Sequence, residues 1–241
     1  QGLSLADGVR LAYAHEVRRN IVPTGITELD KWNLGPARGE LHLFIAAPKR
    51  GKTWHLINMA KWCLLSRLKV VYITLEISEA QIAQRMIQCL FSVMRHKAKV
   101  PITSLVADGL GRLMHFKKDT LTGRLSLDDR SSRPTVEKKL GRFRGRENMI
   151  IKAFPTGGLT TYALTAYLDM LEQASGFVPD MVIVDYPDLM KVDSKNYRID
   201  LGAIYRDLRG IAVERNVGVL CASQSNRIGA SAKLITDIHA G

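Results

Sequence analysis

Five short apolar runs alternate with helical patterns along this chain of 241 residues, and that alternation limits the possible folds more than any other feature. The runs are LHLFIAA, KVVYITLE, MIIKAF, DMVIVDY and VGVLCASQ, rich in aliphatic residues. Strands that are separated by helices form right-handed crossover units, and helices then cover both faces of the parallel sheet. The sequence therefore predicts an α/β fold with a mostly parallel central sheet flanked by helices.

The helical patterns between these runs carry recognisable start signals. In SEAQIAQRMIQCLFSVM, Ser78 is followed three residues later by Gln81, which is the spacing of a capping box. Residues 5–19 place apolar side chains four residues apart, which predicts one apolar helical stripe. Between about 96 and 148 the pattern breaks into glycines, charges and short segments, and we expect an insertion there.

The first strand leads into the sequence FIAAPKRGKTW, which is close to the phosphate-binding pattern G-x-x-x-x-G-K-[ST]. Ala46 stands where that pattern has its first glycine. A strand–turn–helix junction presents free backbone N–H groups and the positive end of a helix dipole to a phosphate. Gly51 permits close approach, Lys52 can reach terminal phosphates, and the Thr53 hydroxyl can bind Mg²⁺. The alternative is a basic turn that caps an ordinary helix.

Three other predicted strands end in polar residues suited to nucleotide chemistry. Glu76 ends the second strand and can polarise a water, Asp185 follows four apolar residues and can hold Mg²⁺, and Gln224 can sense a γ-phosphate. Each of them alone is also typical of a polar strand end. Because ligands collect at the carboxyl ends of parallel strands, the four ends together predict one Mg–ATP hydrolysis site.

The charge of the chain points to a polyanionic partner. The formal net charge is +12, and residues 92–150 alone hold fourteen Lys/Arg against six Asp/Glu. The cluster KKLGRFRGREN either contacts DNA phosphates, with Phe143 stacking on a base, or is a surface elaboration with Phe143 packed inward; the second interpretation is slightly favoured. Three scattered cysteines predict reduced thiols in an intracellular protein. No apolar run is long enough to predict a membrane span.

Several motifs resemble the RecA-like motor domain of DnaB-type replicative DNA helicases, a P-loop NTPase fold. The similar segments are PTGITELDKW, VVYITLEISEAQIAQRM, VIVDYPDLM and IYRDLRGIAVERNVGVLCASQSNR, and they cover about 21–95 and 149–227. The resemblance implies a linker helix over residues 1–20 that docks on a neighbouring subunit. It also implies a RecA-like ATPase domain over 21–241, with the basic insertion at about 96–148 inside it.

The same resemblance implies roles for individual residues. Glu76 would be the catalytic base, Lys52 and Gln224 would act on the phosphates, and Thr53 and Asp185 would hold Mg²⁺. The nucleotide-binding set would be Pro48, Lys49, Arg50, Gly51, Lys52, Thr53, Trp54, Arg85 and Asp185. The family forms a ring of six around single-stranded DNA and works with primase, and the matching DNA-contacting residues here are Lys191, Lys195, Arg198, Arg227 and Lys233.

The chain departs from the family pattern at three points. Ala46 replaces a glycine, Pro187 follows the acidic strand, and no counterpart of the family's trans-acting finger is found before Gly241. The resemblance favours an ATP-driven DNA helicase or translocase. The alternatives are another RecA-fold ATPase, such as a recombinase or a KaiC-like regulator, and a DNA adaptor or loader that binds ATP without turning it over.

Overall fold

A computed structural model describes residues 22–97, 99–110, 112–192 and 195–225. The strands are β1 (Leu41–Ala46), β2 (Val70–Thr74), β3 (Lys99–Ala107), β4 (Leu113–Thr122), β5 (Met149–Ala153), β6 (Met181–Asp185) and β7 (Gly218–Gln224). The helices are α1 (Thr27–Lys31), α2 (Lys52–Leu65), α3 (Glu79–Phe91), α4 (Arg133–Arg142), α5 (Thr161–Ser175) and α6 (Tyr197–Arg215), with 3₁₀ turns at Arg130–Ser132 and Pro187–Leu189.

The five predicted strands form one parallel sheet in the order β1-β7-β6-β2-β5, so the predicted fold class is confirmed. The register aligns Ala46 with Gln224 and Thr74 with Asp185, which puts these strand ends at one edge of the sheet. One predicted boundary was wrong: β2 ends at Thr74, two residues before Glu76. The Thr74 hydroxyl donates a hydrogen bond of 2.8 Å to the carbonyl of Ile77, which closes a turn instead of extending the strand.

The central strands of the sheet are buried on both faces, as is usual in parallel sheets, whereas Leu43 and Ile45 of the edge strand β1 are 40% and 44% exposed. Alternate residues of each strand contact opposite helical layers: Val71 and Ile73 pack with α5 and α6, and Val70 and Tyr72 pack with α2 and α3. Every residue of β2 and β6 is buried. These two strands therefore hold the centre of the sheet rigidly, and the residues that follow them are presented from a fixed base.

The start of α3 confirms the capping box read from the sequence. Ser78 is the N-cap, its side chain accepts a hydrogen bond from the Gln81 N–H, and the Gln81 side chain accepts one from the Ser78 N–H. Such a cap contributes about 1 kcal/mol to helix stability. It also fixes the direction in which the chain leaves the bend at Glu76, so the position of that carboxylate is set by local sequence.

The segment at 96–148 contains regular structure that the sequence did not predict. Strands β3 and β4 form an antiparallel hairpin separate from the central sheet, and α4 follows it. Large apolar side chains on the hairpin are exposed, Leu105 by 66% and Phe116 by 62%. Phe143 packs inward, with its ring 6.1 Å from that of Phe91 in an edge-to-face contact, so the inward-packing alternative is confirmed.

The three cysteines are free, and two of them, Cys63 and Cys221, are buried. Burial raises the pKa of the Cys63 thiol to about 12. Within the described ranges, no cluster of three or more His, Cys, Asp and Glu side chains is arranged for a metal ion. None of the helices that the structure describes combines the length and the apolar character that crossing a membrane requires.

Candidate nucleotide site

The phosphate loop connects β1 to α2 and has the backbone that the sequence motif predicts. Gly51 has φ +88° and is the N-cap of α2, so the glycine is required there by its backbone conformation. Lys49 also has a positive φ, of 60°. Ala46, by contrast, is the last residue of β1, and in a strand a Cβ atom causes no strain. The missing first glycine is therefore compatible with the loop.

The first turn of α2 offers groups that can bind a phosphate. The N–H groups at the start of a helix have no partner within the helix, and they carry the positive end of its dipole. In α2 these groups follow directly on Gly51, at Lys52, Thr53 and Trp54. The loop therefore offers several backbone donors and the side chains of Lys49 and Lys52 to the same cleft.

A cleft of about 400 Å³ opens beside this loop. Its walls come from three of the four strand ends that the sequence singled out: the loop after β1, the bend after β2 and the end of β7. The lining residues are Pro48, Lys49, Gly51, Lys52, Thr53, Trp54, Glu76, Ile77, Arg85 and Gln224. The separate segments near residues 50, 76 and 224 thus converge around one space of a size suited to a small ligand.

The fourth strand end, Asp185, lies buried next to Thr53. Its Oδ2 atom accepts a hydrogen bond of 3.0 Å from the hydroxyl of Tyr72, and the Thr53 hydroxyl is a second hydrogen-bond partner of the carboxylate. The Oδ1 atom is buried and has no hydrogen-bond partner among the described residues. Burial raises the pKa of Asp185, an effect that the bonds from Thr53 and Tyr72 partly oppose and the charge of Glu76 adds to.

This arrangement fits a magnesium ion. Mg²⁺ in phosphate-binding sites takes one or two protein oxygen ligands and completes its shell with phosphate oxygens and water, so it needs no larger cluster of side chains. The unpaired Oδ1 of Asp185 and the Thr53 hydroxyl supply such oxygens side by side. A buried carboxylate oxygen without a partner is costly on its own, and a cation would compensate it.

Two cation–π contacts hold charged side chains at the cleft. The Arg85 guanidinium lies over the ring of Trp54, 5.5 Å from its centroid, and both residues line the cleft. The Lys52 ammonium lies 5.1 Å from the ring centroid of Tyr186, the residue after Asp185. Each contact keeps a positive charge close to the phosphate loop by means of an aromatic face, which attracts the cation and leaves its charge in place.

Most residues that line the cleft are among those predicted from the sequence, and a few differ. Arg50, predicted to bind nucleotide, is exposed and is not among the residues that line the cleft. Ile77 lines the cleft and was not predicted, although it directly follows Glu76. Tyr72 was also missed; its only signal in the sequence is that it stands two residues before the end of a buried strand whose neighbour ends in Asp185.

The predicted DNA-contacting residues divide into two groups. Lys191, Lys195 and Arg198 are exposed, in the segment that runs from the end of β6 to the first turn of α6. This segment lies at the same edge of the sheet as the cleft, since it follows Asp185. Arg227 and Lys233 lie outside the described residues, as does the predicted linker helix over residues 1–20.

Comparison with known proteins extends the resemblance seen in the motifs. The model of the DnaB-like helicase C terminal domain matches residues 21–233. A "DnaB-like replicative helicase" of Enterobacteria phage T4 is 27% identical over 220 residues, which are 89% of this chain and 41% of the relative. The replicative DNA helicase DnaB of Haemophilus influenzae is 28% identical over 209 residues, 86% of this chain and 39% of the relative. The chain thus spans about two fifths of the length of these relatives.

Solved structures confirm the fold. A solved ATPase domain aligns with a TM-score of 0.67 and 21% identity, covering 98% of this chain and 78% of that one. A DnaB-like replicative helicase, described with its interactions with primase, aligns with a TM-score of 0.66 and 20% identity, covering 97% of this chain and 52% of that one. The parallel sheet and its flanking helices are therefore those of RecA-like DnaB ATPase domains.

Proposed function

Because the chain belongs to the family of DnaB-like helicase C-terminal domains, we propose that it is the ATP-hydrolysing motor of a replicative DNA helicase. The observation that carries this proposal is the convergence of Lys52, Glu76 and Gln224 on one cleft, with Asp185 buried next to Thr53 beside it. A protein that only displays the fold has no need to bring these chemically distinct groups together from separate strands.

The residues of the cleft have separate roles in phosphoryl transfer. The backbone N–H groups at the start of α2 and the Lys52 side chain bind and orient the phosphates. Glu76 lies exposed on the wall of the cleft, where it can accept a proton from a water that attacks the γ-phosphate. Gln224 lies at the end of β7 and can donate a hydrogen bond to the γ-phosphate.

Thr53 and Asp185 are the residues that would hold Mg²⁺, which neutralises charge that develops on the transferring phosphate when it is bound. Arg85, held over Trp54, keeps a positive charge at the same cleft. Trp54 is itself 45% exposed and offers an aromatic face to the bound nucleotide. ATP is therefore the substrate that this set of side chains fits.

Single-stranded DNA is the proposed nucleic acid that the protein binds and moves along. Lys191, Lys195 and Arg198 are exposed on the segment between β6 and α6, where basic side chains can follow a phosphate backbone without reading its sequence. We further propose that six copies form a ring around the strand, as the family does. Primase is a candidate partner, because a structural neighbour has been described with its interactions with primase.

Unwinding of a forked duplex by the full-length protein tests the proposal. Wild-type protein should separate the strands when ATP and Mg²⁺ are present, and Lys52→Ala should abolish unwinding. Lys61→Ala removes a lysine from the same helix outside the cleft and serves as the matched control. ATP hydrolysis without unwinding would instead indicate a recombinase or a KaiC-like regulator, and ATP binding without hydrolysis would indicate an adaptor or loader.

A further inference from the structure

Strand β7 lies between β6 and β1, and it extends beyond the end of its ladder with β6. Its ladder with β6 ends at the pair Val184 and Cys221, whereas its ladder with β1 continues to Ala46 and Gln224. The N–H of Ser225 donates to the carbonyl of Ala46 on the β1 side. Because successive N–H groups of a strand alternate in direction, the N–H of Gln224 faces the side on which β6 has already ended.

The carboxylate of Asp188 takes the place of the missing strand. The N–H of Gln224 donates a hydrogen bond of 3.0 Å to Oδ2 of Asp188, and the Ser223 hydroxyl donates one of 2.9 Å to the same oxygen. The hydroxyl of Tyr205, on α6, donates a bond of 2.6 Å to Oδ1. One carboxylate therefore joins the turn after β6, the end of β7 and helix α6.

Of these three elements, the end of β7 lines the cleft, and the turn after β6 and helix α6 flank the predicted DNA-contacting segment. The Gln224 side chain lines the cleft, Asp188 lies three residues after Asp185, and Lys191 follows three residues after Asp188. We propose that Asp188 is a positioning residue that couples the nucleotide bound in the cleft to the predicted DNA-contacting residues Lys191, Lys195 and Arg198. This inference rests on the proposed function and adds to it the residue that carries the coupling.

The chemistry of the contacts suits this role. Hydrogen bonds that an ionised carboxylate accepts are stronger than bonds between neutral groups, so the three donors hold Asp188 firmly. Within the described ranges no lysine or arginine forms an ion pair with Asp188, so its position depends on hydroxyl and backbone donors alone. A shift of Gln224 on binding a γ-phosphate would move the end of β7 together with Asp188, and so would displace the chain that leads to Lys191.

The experiment measures the factor by which a non-hydrolysable ATP analogue tightens the binding of single-stranded DNA to the full-length protein. Couplings between two sites typically change affinity by about 5–150-fold. Asp188→Asn keeps the shape of the side chain and removes the charge and one acceptor oxygen. We expect it to reduce the coupling factor at least fivefold, while the affinity for the analogue without DNA stays within twofold of wild type.

Asp207→Asn is the matched control. Asp207 lies on α6 and accepts a hydrogen bond of 2.7 Å from the hydroxyl of Thr161, away from the cleft. This variant should retain the wild-type coupling factor. Tyr205→Phe removes one of the donors and leaves the carboxylate in place, so it should reduce the coupling factor partially. If Asp188→Asn fails to fold, Tyr205→Phe is the variant that tests the inference.

The outcomes separate this inference from the proposed function. A wild-type protein whose DNA affinity does not respond to the analogue overturns both. If the analogue tightens DNA binding by the wild type and by Asp188→Asn to the same extent, the inference alone is overturned. If only Tyr205→Phe folds, an unchanged coupling factor in that variant has the same consequence. If Asp188→Asn loses affinity for the analogue in proportion to its loss of coupling, Asp188 maintains the shape of the cleft instead of coupling the two sites. That outcome also overturns the inference.

Discussion

The hydroxyl of Tyr72 donates a hydrogen bond of 3.0 Å to Oδ2 of Asp185, and neither residue has any exposed surface. The bond joins β2 to β6 at the centre of the sheet. The second carboxylate oxygen, Oδ1, has no partner in the part of the chain that the structure describes. The protein thus holds a buried carboxylate whose charge is compensated on one side only, next to the threonine of the phosphate loop.

This geometry predicts that Asp185→Asn stabilises the protein in the absence of nucleotide. The pKa of Asp185 is raised above its ordinary value of 3.8, chiefly by burial, so the folded state favours the protonated form. The stabilising contribution of this group is complete below pH 3.8 and is lost as the pH rises through the raised pKa. The melting temperature of the wild type should therefore fall relative to that of Asp185→Asn as the pH rises from about 4 to about 8.

Mg²⁺ and an ATP analogue should reverse that order at neutral pH, because the ionised carboxylate then has a cation to bind. For a domain of this size, 1 kcal/mol corresponds to about 2–4 °C in melting temperature, so differential scanning fluorimetry resolves the effect. A wild type that is more stable than Asp185→Asn at pH 8 without ligand would contradict the account of this carboxylate.

Tryptophan fluorescence should report nucleotide binding through one of the three tryptophans. Trp54 lines the cleft beside Arg85, whereas Trp32 is 76% exposed and Trp62 packs against the core formed by α2 and α3. Binding of an ATP analogue displaces water around the Trp54 ring and should change its emission. The change should disappear in Trp54→Phe and persist in Trp32→Phe and Trp62→Phe. A response that survives Trp54→Phe would place the nucleotide elsewhere.

Removal of a basic side chain from the segment between β6 and α6 should weaken DNA binding without sequence preference. Lys191→Ala and Arg198→Ala should each reduce the affinity for single-stranded DNA and lower the slope of log K against log salt by about 0.7. Fluorescence anisotropy over a salt series measures both quantities. Lys31→Ala, which removes an exposed lysine from α1, is the control. Unchanged slopes in both variants would remove this segment from the DNA interface.

The inward packing of Phe143 predicts a stability effect inside the basic segment at 96–148. Phe143→Ala removes the edge-to-face contact with Phe91 and should lower the free energy of unfolding by about 1–3 kcal/mol. Phe116→Ala alters the exposed face of the hairpin and should change it by less than about 0.5 kcal/mol. Chemical denaturation of the two variants compares them directly, and equal effects would show that Phe143 is not packed as described.

The central sheet could be predicted because runs of apolar residues indicate buried strands. Each of the five strands is an apolar run, those of β2 and β6 are buried along their whole length, and Ser78 and Gln81 mark the start of α3. The strand ends could be predicted for a geometric reason. Once the sheet is parallel, Asp185 and Gln224 must lie at the edge that also holds the phosphate loop.

Features that depend on contacts between distant segments could not be predicted. Asp188 accepts a hydrogen bond from the N–H of Gln224 because the ladder between β6 and β7 ends before β7 does. The residue type at position 188 does not show where that ladder ends. The hairpin of β3 and β4 was missed because Pro101 and a run of charges interrupt its apolar pattern. Tyr72 reads as one more apolar strand residue until Asp185 is placed beside it.

The central claim is that the cleft beside Lys52 hydrolyses ATP through Glu76 and that this hydrolysis drives the protein along DNA. Steady-state ATP hydrolysis by the full-length protein, with and without single-stranded DNA, tests it most directly. Glu79→Gln is the matched control, because Glu79 lies three residues away at the start of α3 and accepts a hydrogen bond from the N–H of Ala153.

We predict that DNA strongly stimulates hydrolysis by the wild type and by Glu79→Gln. Glu76→Gln should lower the rate by about 10²–10⁴-fold, the usual range for loss of a general base, and should still bind ATP. Turnover in Glu76→Gln that equals the wild-type rate, or a wild-type rate that DNA leaves unchanged, would contradict the central claim.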